Sequence, residues 1–458
     1  MRLRDALGIQ RGEVVAFVGA GGKTSALFRL AHELREDGWR VLATTTTRVA
    51  MYEVEQAPFS APLKVGTPPS QIRDWLNEHG FVFLYGTREA SHHKIAGLHP
   101  EVLAGIVDSV NSDVLLIEAD GARRLPLKAP RDHEPVIPPD TSLVVPVAGI
   151  DALGQPLDEE HVFNAARICE RYGFPEGGAI LPPWMAVVLR DAELGLRAVP
   201  ETARVIALLN KVSLDRYERD RARRVAQLIL RSPRIDAVVL GAMQVPDHPV
   251  HELQRRVGVI VLAAGASTRM GRSKPLLPWD GRTVIETIVS RLVAARPAEI
   301  AVVTGFHGDQ VVRALRNLPV QIVRNPDYEQ GEMLSSLQTG LRALPDSMAA
   351  CLVVMGDQPF IDGRVIGQVL TAYAEGQGTI VAPAYRGQRG HPVLFDRQFW
   401  PDLLALESGA PRDVIRRYPD RLATVEVDTD SIVRDIDTPE QYRFELYRAG
   451  LPIPVPRD

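Results

Sequence analysis

The stretch Val257 to Leu262, VGVIVL, carries no charge and is rich in β-branched residues. A strand of that kind is buried on both faces, which calls for a parallel sheet with helices covering each side. The run breaks off into Ala263, Ala264, Gly265, Ala266 and Ser267, residues with so little bulk that backbone amides can approach an anion closely. Arg269 and Lys274 follow at a spacing that lets both reach one polyphosphate, the guanidinium as a fork and the ammonium as a point charge. Read alone, the segment also fits a tight strand-to-helix turn beside two solvated cations.

The same plan opens the chain. Val14 to Val18 runs apolar into Gly19-Ala20-Gly21-Gly22-Lys23-Thr24-Ser25, and Leu27, Leu30, Ala31 and Leu34 then recur at helical spacing. Phe17 stands where a full Walker A sequence needs its first glycine, so the match is to a shorter G-x-x-G-K-T. The physical requirements remain: Gly19 and Gly22 for close approach, Lys23 for the β- and γ-phosphates of a bound NTP, and Thr24 for Mg²⁺. Val114 to Ile117 leads into Glu118-Ala119-Asp120. Carboxylates two residues apart after a buried strand lie on one side, as a Mg²⁺ site needs; the same pair would also serve to cap the next element.

Other features of this half are open to two readings. Thr44-Thr45-Thr46-Thr47-Arg48 places hydroxyls at a strand's carboxyl end, where α/β sheets bind ligands, or is an ordinary Thr-rich strand end. Asn210-Lys211-Val212-Ser213 is similar to the guanine-specifying N-K-x-D element of GTPases, but Ser213 holds the aspartate position and Asp215 lies beyond it. Base identity is therefore open. His133-Glu134 suggests a metal ligand or general base, although an adjacent pair in a Pro-rich loop is more often structural; His92 and His93 are read the same way.

At 458 residues the length suggests about three domains, and a 45% hydrophobic content is ample for sizeable cores. A net charge of −4 with no basic stripe argues against nucleic acid or an anionic membrane as partner. The first apolar run is short and interrupted by Glu13, unlike a signal peptide or a membrane span, so cytoplasm is the expected compartment. Cys169 and Cys351 stand far apart and read as core residues. Pro246 to His251 is polar and Pro-punctuated just before a fresh strand, which places a linker at 246–256 between domains at 1–245 and 257–458.

In the second half, Glu299 to Thr304, Asp309 to Leu318 and Val320 to Val323 alternate as strand, helix and strand, a Rossmann-like parallel arrangement. Gly331 to Leu337 forms another loop-to-helix junction, with Ser335 and Ser336 placed to cap the helix or to contact a base or ribose. The apolar strand Ala350 to Met355 ends in Gly356-Asp357-Gln358-Pro359, and Asp435-Ile436-Asp437-Thr438-Pro439-Glu440 supplies a second pair of carboxylates. A carboxylate at a strand's carboxyl end is well placed to hold Mg²⁺ against phosphates.

The series Leu262, Ala263, Ala264, Gly265, Ser267, Arg269, Met270, Gly271 and Lys274 resembles the nucleotidyltransferase signature L-A-A-G-x-S-x-R-M-G-x-x-K. Its continuation Pro275-Leu276-Leu277-Pro278-Trp279 is most similar to the molybdenum cofactor cytidylyltransferases. The resemblance implies a Rossmann-like (GT-A-like) domain that transfers CMP from CTP to molybdopterin cofactor. Residues 262–265 and Ser267 would hold the nucleotide and Arg269 and Lys274 its triphosphate. Asp357 and Asp437, preferred over Asp435, would hold Mg²⁺, Ser335 and Ser336 would contact the nucleotide, and His391 of Gly390-His391-Pro392-Val393 the acceptor. A guanylyltransferase, which usually has L-A-G-G, and a non-catalytic cofactor chaperone or NTP-driven maturation factor are the alternatives.

Residues 1–245 resemble the selenium-dependent hydroxylase accessory (YqeC-like) family through Gly19 to Ser25, Ala43 to Arg48, Glu118 to Ala122, Pro126 to Pro130 and His133-Glu134-Pro135. That likeness implies service to a client molybdenum hydroxylase and, with the P-loop-like segment, a second NTP. The expectation is two α/β domains, the first P-loop-like, acting on small molecules.

Overall fold

The computed structural model describes residues 1–89, 94–265, 270–329 and 333–453. The chain divides into two compact units, Met1–Gln254 and Arg255–Asp458.

The first unit is built on a nine-stranded sheet. In spatial order its strands are Val250–Arg255, Ala237–Gly241, Arg204–Asn210, Leu143–Gly149, Glu13–Gly19, Val114–Glu118, Val41–Thr45, Phe81–Tyr85 and Phe59–Pro62. From Ala237–Gly241 onward every pairing is parallel. Because side chains alternate along a strand, Val15 and Phe17 enter the core on one face while Val14, Ala16 and Val18 enter the core on the other. The central strand Glu13–Gly19 thus has two dry faces, and its only route to a ligand is its carboxyl end. There the chain turns into the helix Lys23–Glu36, whose Leu27, Leu30, Ala31 and Leu34 pack on the first of these cores.

The second unit carries an eight-stranded sheet. Gln321–Arg324, Glu299–Thr304, Val257–Ala263 and Ala350–Met355 are parallel neighbours, with Val257–Ala263 between Glu299–Thr304 and Ala350–Met355. Its residues also alternate, Val259 and Val261 into one core and Ile260 and Leu262 into the other. Val393–Asp396 runs antiparallel to both Ala350–Met355 and Ile380–Tyr385. The sheet is therefore mixed, whereas the strand and helix alternation alone suggests a wholly parallel one. The stretch read as a linker, 246–256, includes the strand Val250–Arg255 at the edge of the first sheet.

That edge strand is anchored by charge. Glu252 is fully buried and receives Arg219 Nη2 at 2.5 Å and Arg223 Nη2 at 2.7 Å, both from one face of the helix Arg216–Ile229. Burial pushes the Glu252 carboxyl up, but Arg223 and Arg219 more than offset that and hold it below its ordinary range. Its contribution to stability is complete above the unfolded pKa of about 4.3 and is lost as pH falls through the lowered folded value. Glu252→Gln is expected to cost about 2 kcal/mol once the partial exposure of the two arginines is allowed for, a fall in Tm of about 4–8 °C at neutral pH. The loss should shrink as acid protonates the wild-type carboxyl; thermal melts across pH that kept a constant gap would contradict it.

Candidate functional site

In the first unit the loop after Glu13–Gly19 is pressed against its neighbours. A Cβ at Gly21, where φ is +78°, would lie 2.0 Å from Gly149 N, so only glycine fits. Gly21 N donates to Leu125 O at 2.9 Å and Gly21 O accepts from Asn210 Nδ2 at 2.9 Å. Lys23 follows on the first helical turn with its ammonium buried. Nζ donates to Gly19 O at 2.7 Å and lies 3.1 Å from Asp120 Oδ1 and 3.7 Å from Glu118 Oε1. Burial disfavours its charge, but Asp120 and Glu118 prevail and keep its pKa above the usual value. Thr24 Oγ1 donates to Glu118 Oε2 at 2.9 Å. Burial raises the Glu118 pKa despite Lys23 and Thr24, and Asp120 Oδ2 accepts from Gly19 N at 2.9 Å. Gly19, Gly22, Lys23, Thr24, Glu118 and Asp120 are thus brought to one place.

The network extends to a residue that motif reasoning quotes without giving it a role. Lys128 Nζ, also buried, reaches Asp120 Oδ2 and Glu134 Oε2 at 3.0 Å each and donates to Gly121 O at 2.6 Å. Glu134 is accordingly a structural counter-charge, and His133 is exposed beside it. The hydroxyls of Thr44, Thr45 and Thr46 donate to the carbonyls of Leu84, Glu118 and Val136, so they tie strands and loops together. Asp215 caps the helix Arg216–Ile229, accepting from Tyr217 N and Glu218 N. His92 and His93 lie outside the described residues.

In the second unit three separate segments meet. Lys274 Nζ sits 3.3 Å from Asp357 Oδ2 and 2.5 Å from Asp437 Oδ1. Burial works against the ammonium, but Asp437 and Asp357 raise its pKa. Asp357 is itself pushed up by burial, with Lys274 pulling the other way. Its Oδ1 is buried and has no hydrogen-bond partner among the described residues, an arrangement that a divalent cation would complete. Asp435 is exposed, while Ile436 between the two aspartates is fully buried.

Local chemistry explains how each segment is aimed. A Cβ at Gly356 would lie 2.6 Å from Leu262 O, so glycine lets the two loops touch. Gln358 Nε2 donates to Arg434 O at 2.7 Å, and Arg291 donates to the carbonyls of Pro359 and Ile361, which fixes the chain on the far side of Asp357. Thr438 caps the helix Pro439–Arg448 in a capping box, and Gln441 Oε1 accepts from Asp437 N at 2.8 Å and Thr438 N at 2.9 Å. Tyr442 OH donates to Pro278 O, tying that helix to the strand just after Lys274. Arg291, Gln358 and Tyr442 act on backbone from a distance in sequence and so leave no local signature; the Thr438 to Gln441 cap is local and readable.

The remaining expected residues fall as follows. Leu262, Ala263 and Ala264 are buried at the strand end and Gly265 is exposed; Ser267 and Arg269 lie outside the described residues. Ser335 and Ser336 Oγ each accept from Asn325 Nδ2 at 3.0 Å, pinning the Asn325-Pro326 turn to the helix Met333–Ala343. His391 is half-buried, its backbone N–H donating to Ile432 O at 3.0 Å, and burial lowers the pKa of its ring. Cys351 is fully buried with its thiol pushed up to about 12. Among the described residues no helix is long and apolar enough to cross a membrane.

Comparison with known proteins follows the same division. Residues 15–166 match the family model for YqeC protein, and residues 259–422 match the model for a MobA-like NTP transferase domain. The uncharacterized protein YqeC of Escherichia coli (strain K12) is 32% identical over 247 residues, covering 53% of this chain and 92% of that protein. The molybdenum cofactor cytidylyltransferase of the same organism is 27% identical, over 41% of this chain and 93% of that protein. Nicotine blue oxidoreductase of Paenarthrobacter nicotinovorans is 33% identical, over 40% of this chain and 94% of that protein. With a lysine and two carboxylates gathered at the carboxyl ends of the strands of each unit, the chain belongs to the YqeC family through its first half and carries a MobA-like NTP transferase domain in its second.

Proposed function

We propose that the second unit transfers CMP from CTP to molybdopterin cofactor, and that the first is an NTP-binding accessory serving a molybdenum hydroxylase. The observation that carries the transfer reading is the meeting of Lys274, Asp357 and Asp437, with Asp357 Oδ1 buried and unpartnered. Similarity to the molybdenum cofactor cytidylyltransferase supports the acceptor, and Ala264 in place of a second glycine supports cytosine over guanine.

Asp357 and Asp437 would hold Mg²⁺, which when bound supplies neutralising charge for phosphate oxygens. The chain's own work is alignment. In the transfer, a phosphate oxygen of the acceptor forms a bond to the α-phosphorus of CTP, and the bond from that phosphorus to the bridging oxygen breaks to release pyrophosphate. A phosphate monoester has a second pKa of about 6, so the nucleophile is already largely ionised at neutral pH and needs no general base. Lys274, and Arg269 by resemblance, would carry the charge of the triphosphate, while the small residues 262–265 let backbone approach it. In the first unit, Lys23 and Thr24 would take the phosphates and metal of a second NTP, with Glu118 and Asp120 as the carboxylates of that site.

Purified protein with molybdenum cofactor and Mg²⁺ should release pyrophosphate from CTP faster than from GTP. Equal rates would sink the cytidylyl reading, a GTP preference would establish the guanylyltransferase, and turnover of a reducible substrate without pyrophosphate would favour the chemistry named for nicotine blue oxidoreductase. Asp357→Asn should lower kcat by about 10²-fold or more at unchanged Tm; full turnover would remove Asp357 from the site. Lys23→Ala should reduce bound ATP or GTP by one equivalent per chain and leave CMP transfer intact. Unchanged stoichiometry would make the Gly19–Ser25 loop a turn and nothing more.

A further inference from the structure

The Gly19–Ser25 loop opens onto a cleft of about 960 Å³, at the upper end of the range for small-molecule sites. Seven lysine and arginine residues line it against three glutamates, in a chain whose net charge is −4. Three of the seven, Arg123, Arg124 and Arg131, lie on the wall formed by residues 123–131. Arg123 and Arg131 stand over one ring, Phe163, at 5.6 and 5.0 Å from its centroid, with Lys128 Nζ over it at 5.0 Å. Lys128 is occupied by Asp120 and Glu134. Arg123 and Arg131 are exposed to the cleft, and among the described residues neither has a carboxylate at ion-pair distance.

Two further observations mark this wall. Arg123 and Arg124 are consecutive residues with φ of +47° and +63°. Side-chain-bearing residues adopt that conformation at a cost, and it persists where the surroundings impose it, commonly at ligand clamps. Beside them Tyr52 lines the same cleft with 49% of its surface exposed, and the Arg124 guanidinium lies 5.2 Å from its ring centroid. Glu53 lies 4.0 Å from Arg124, and Glu134 Oε2 accepts from the Arg131 backbone N–H at 3.3 Å while paired with Lys128. Solvated arginines alone would account for the charge but not for a strained pair aimed beside an exposed aromatic.

We propose that the wall is an anion subsite distinct from the Lys23 loop, taking the phosphate of a phosphate ester that bears a planar nitrogen heterocycle. Arg123 and Arg131 hold the phosphate by charge-assisted hydrogen bonds, and Tyr52 stacks the ring. The subsite stands whether or not the second unit is a cytidylyltransferase.

Calorimetric titration of the full chain with GMP and, separately, with 6-hydroxymethylpterin monophosphate tests it and distinguishes the two sources of such a ligand. Arg123→Glu with Arg131→Glu should remove one equivalent of the better probe per chain while sites elsewhere remain. Tyr52→Ala should weaken that equivalent about tenfold, and the dephosphorylated probe should show no difference between wild type and variant. If the charge-reversed chain loses its thermal transition, Arg123→Gln with Arg131→Gln serves instead and should weaken the same equivalent. Identical stoichiometry and affinity for both probes in wild type and the folded variant would overturn the proposal, as would absence of binding by wild type.

Discussion

An ammonium set between two carboxylates is the contact on which each unit's site depends. Lys23 meets Asp120 and Glu118, and Lys274 meets Asp357 and Asp437. Removing such groups from water is expensive, and their mutual attraction offsets that expense only when the geometry is held closely. The fold supplies the geometry by placing each cluster at the carboxyl end of a strand with two dry faces. Once the strand's flanks are committed to core, the polar end cannot slip without exposing Phe17 or Val261. The hydrophobic pattern therefore fixes where the charges stand.

The parts of this arrangement that the sequence displays are the local ones. Strands Glu13–Gly19 and Val257–Ala263 are legible because uncharged β-branched runs have few alternatives, and the loops after them are legible because glycine and alanine stand where backbone must come close. Asp357 and Asp437 are each recognisable from their own short motif. Their meeting is not, since it depends on Gln358 reaching Arg434 O, on Arg291 holding the Pro359 and Ile361 carbonyls, and on Tyr442 reaching Pro278. Hydrogen bonds from side chain to distant backbone leave no periodic trace. The mixed character of the second sheet escapes for a similar reason: Val393–Asp396 is a short apolar run whose direction is set by the strands it joins.

Lys128 shows the same limit from the other side. A lysine between prolines in a polar loop reads as solvated surface, yet its ammonium is buried and compensates Asp120 and Glu134. Five ionisable groups, Lys23, Glu118, Asp120, Lys128 and Glu134, share one interior region with three negative charges against two positive. That imbalance would favour a cation near Glu118, whose own pKa is raised by burial. Under the proposed reading a metal carried in with a nucleotide would meet that need, whereas the exposed wall of Arg123 and Arg131 has the opposite sign.

Under the proposed reading both loops bind phosphate, and phosphate contacts are indifferent to the base. In the first unit the segment that resembles a guanine reader is already committed elsewhere. Asn210 gives Nδ2 to Gly21 O and receives Met243 N on Oδ1, so both ends of its amide serve to lock the loop in place. Lys211 pairs with Asp151 at 2.7 Å, and Asp215 caps a helix. An amide with both ends buried in backbone contacts would have to release the Gly21 turn to reach a base. Under the proposed NTP-binding reading, base selectivity in this unit would therefore come from residues outside the Asn210 to Asp215 segment, however closely its spelling follows a GTPase motif.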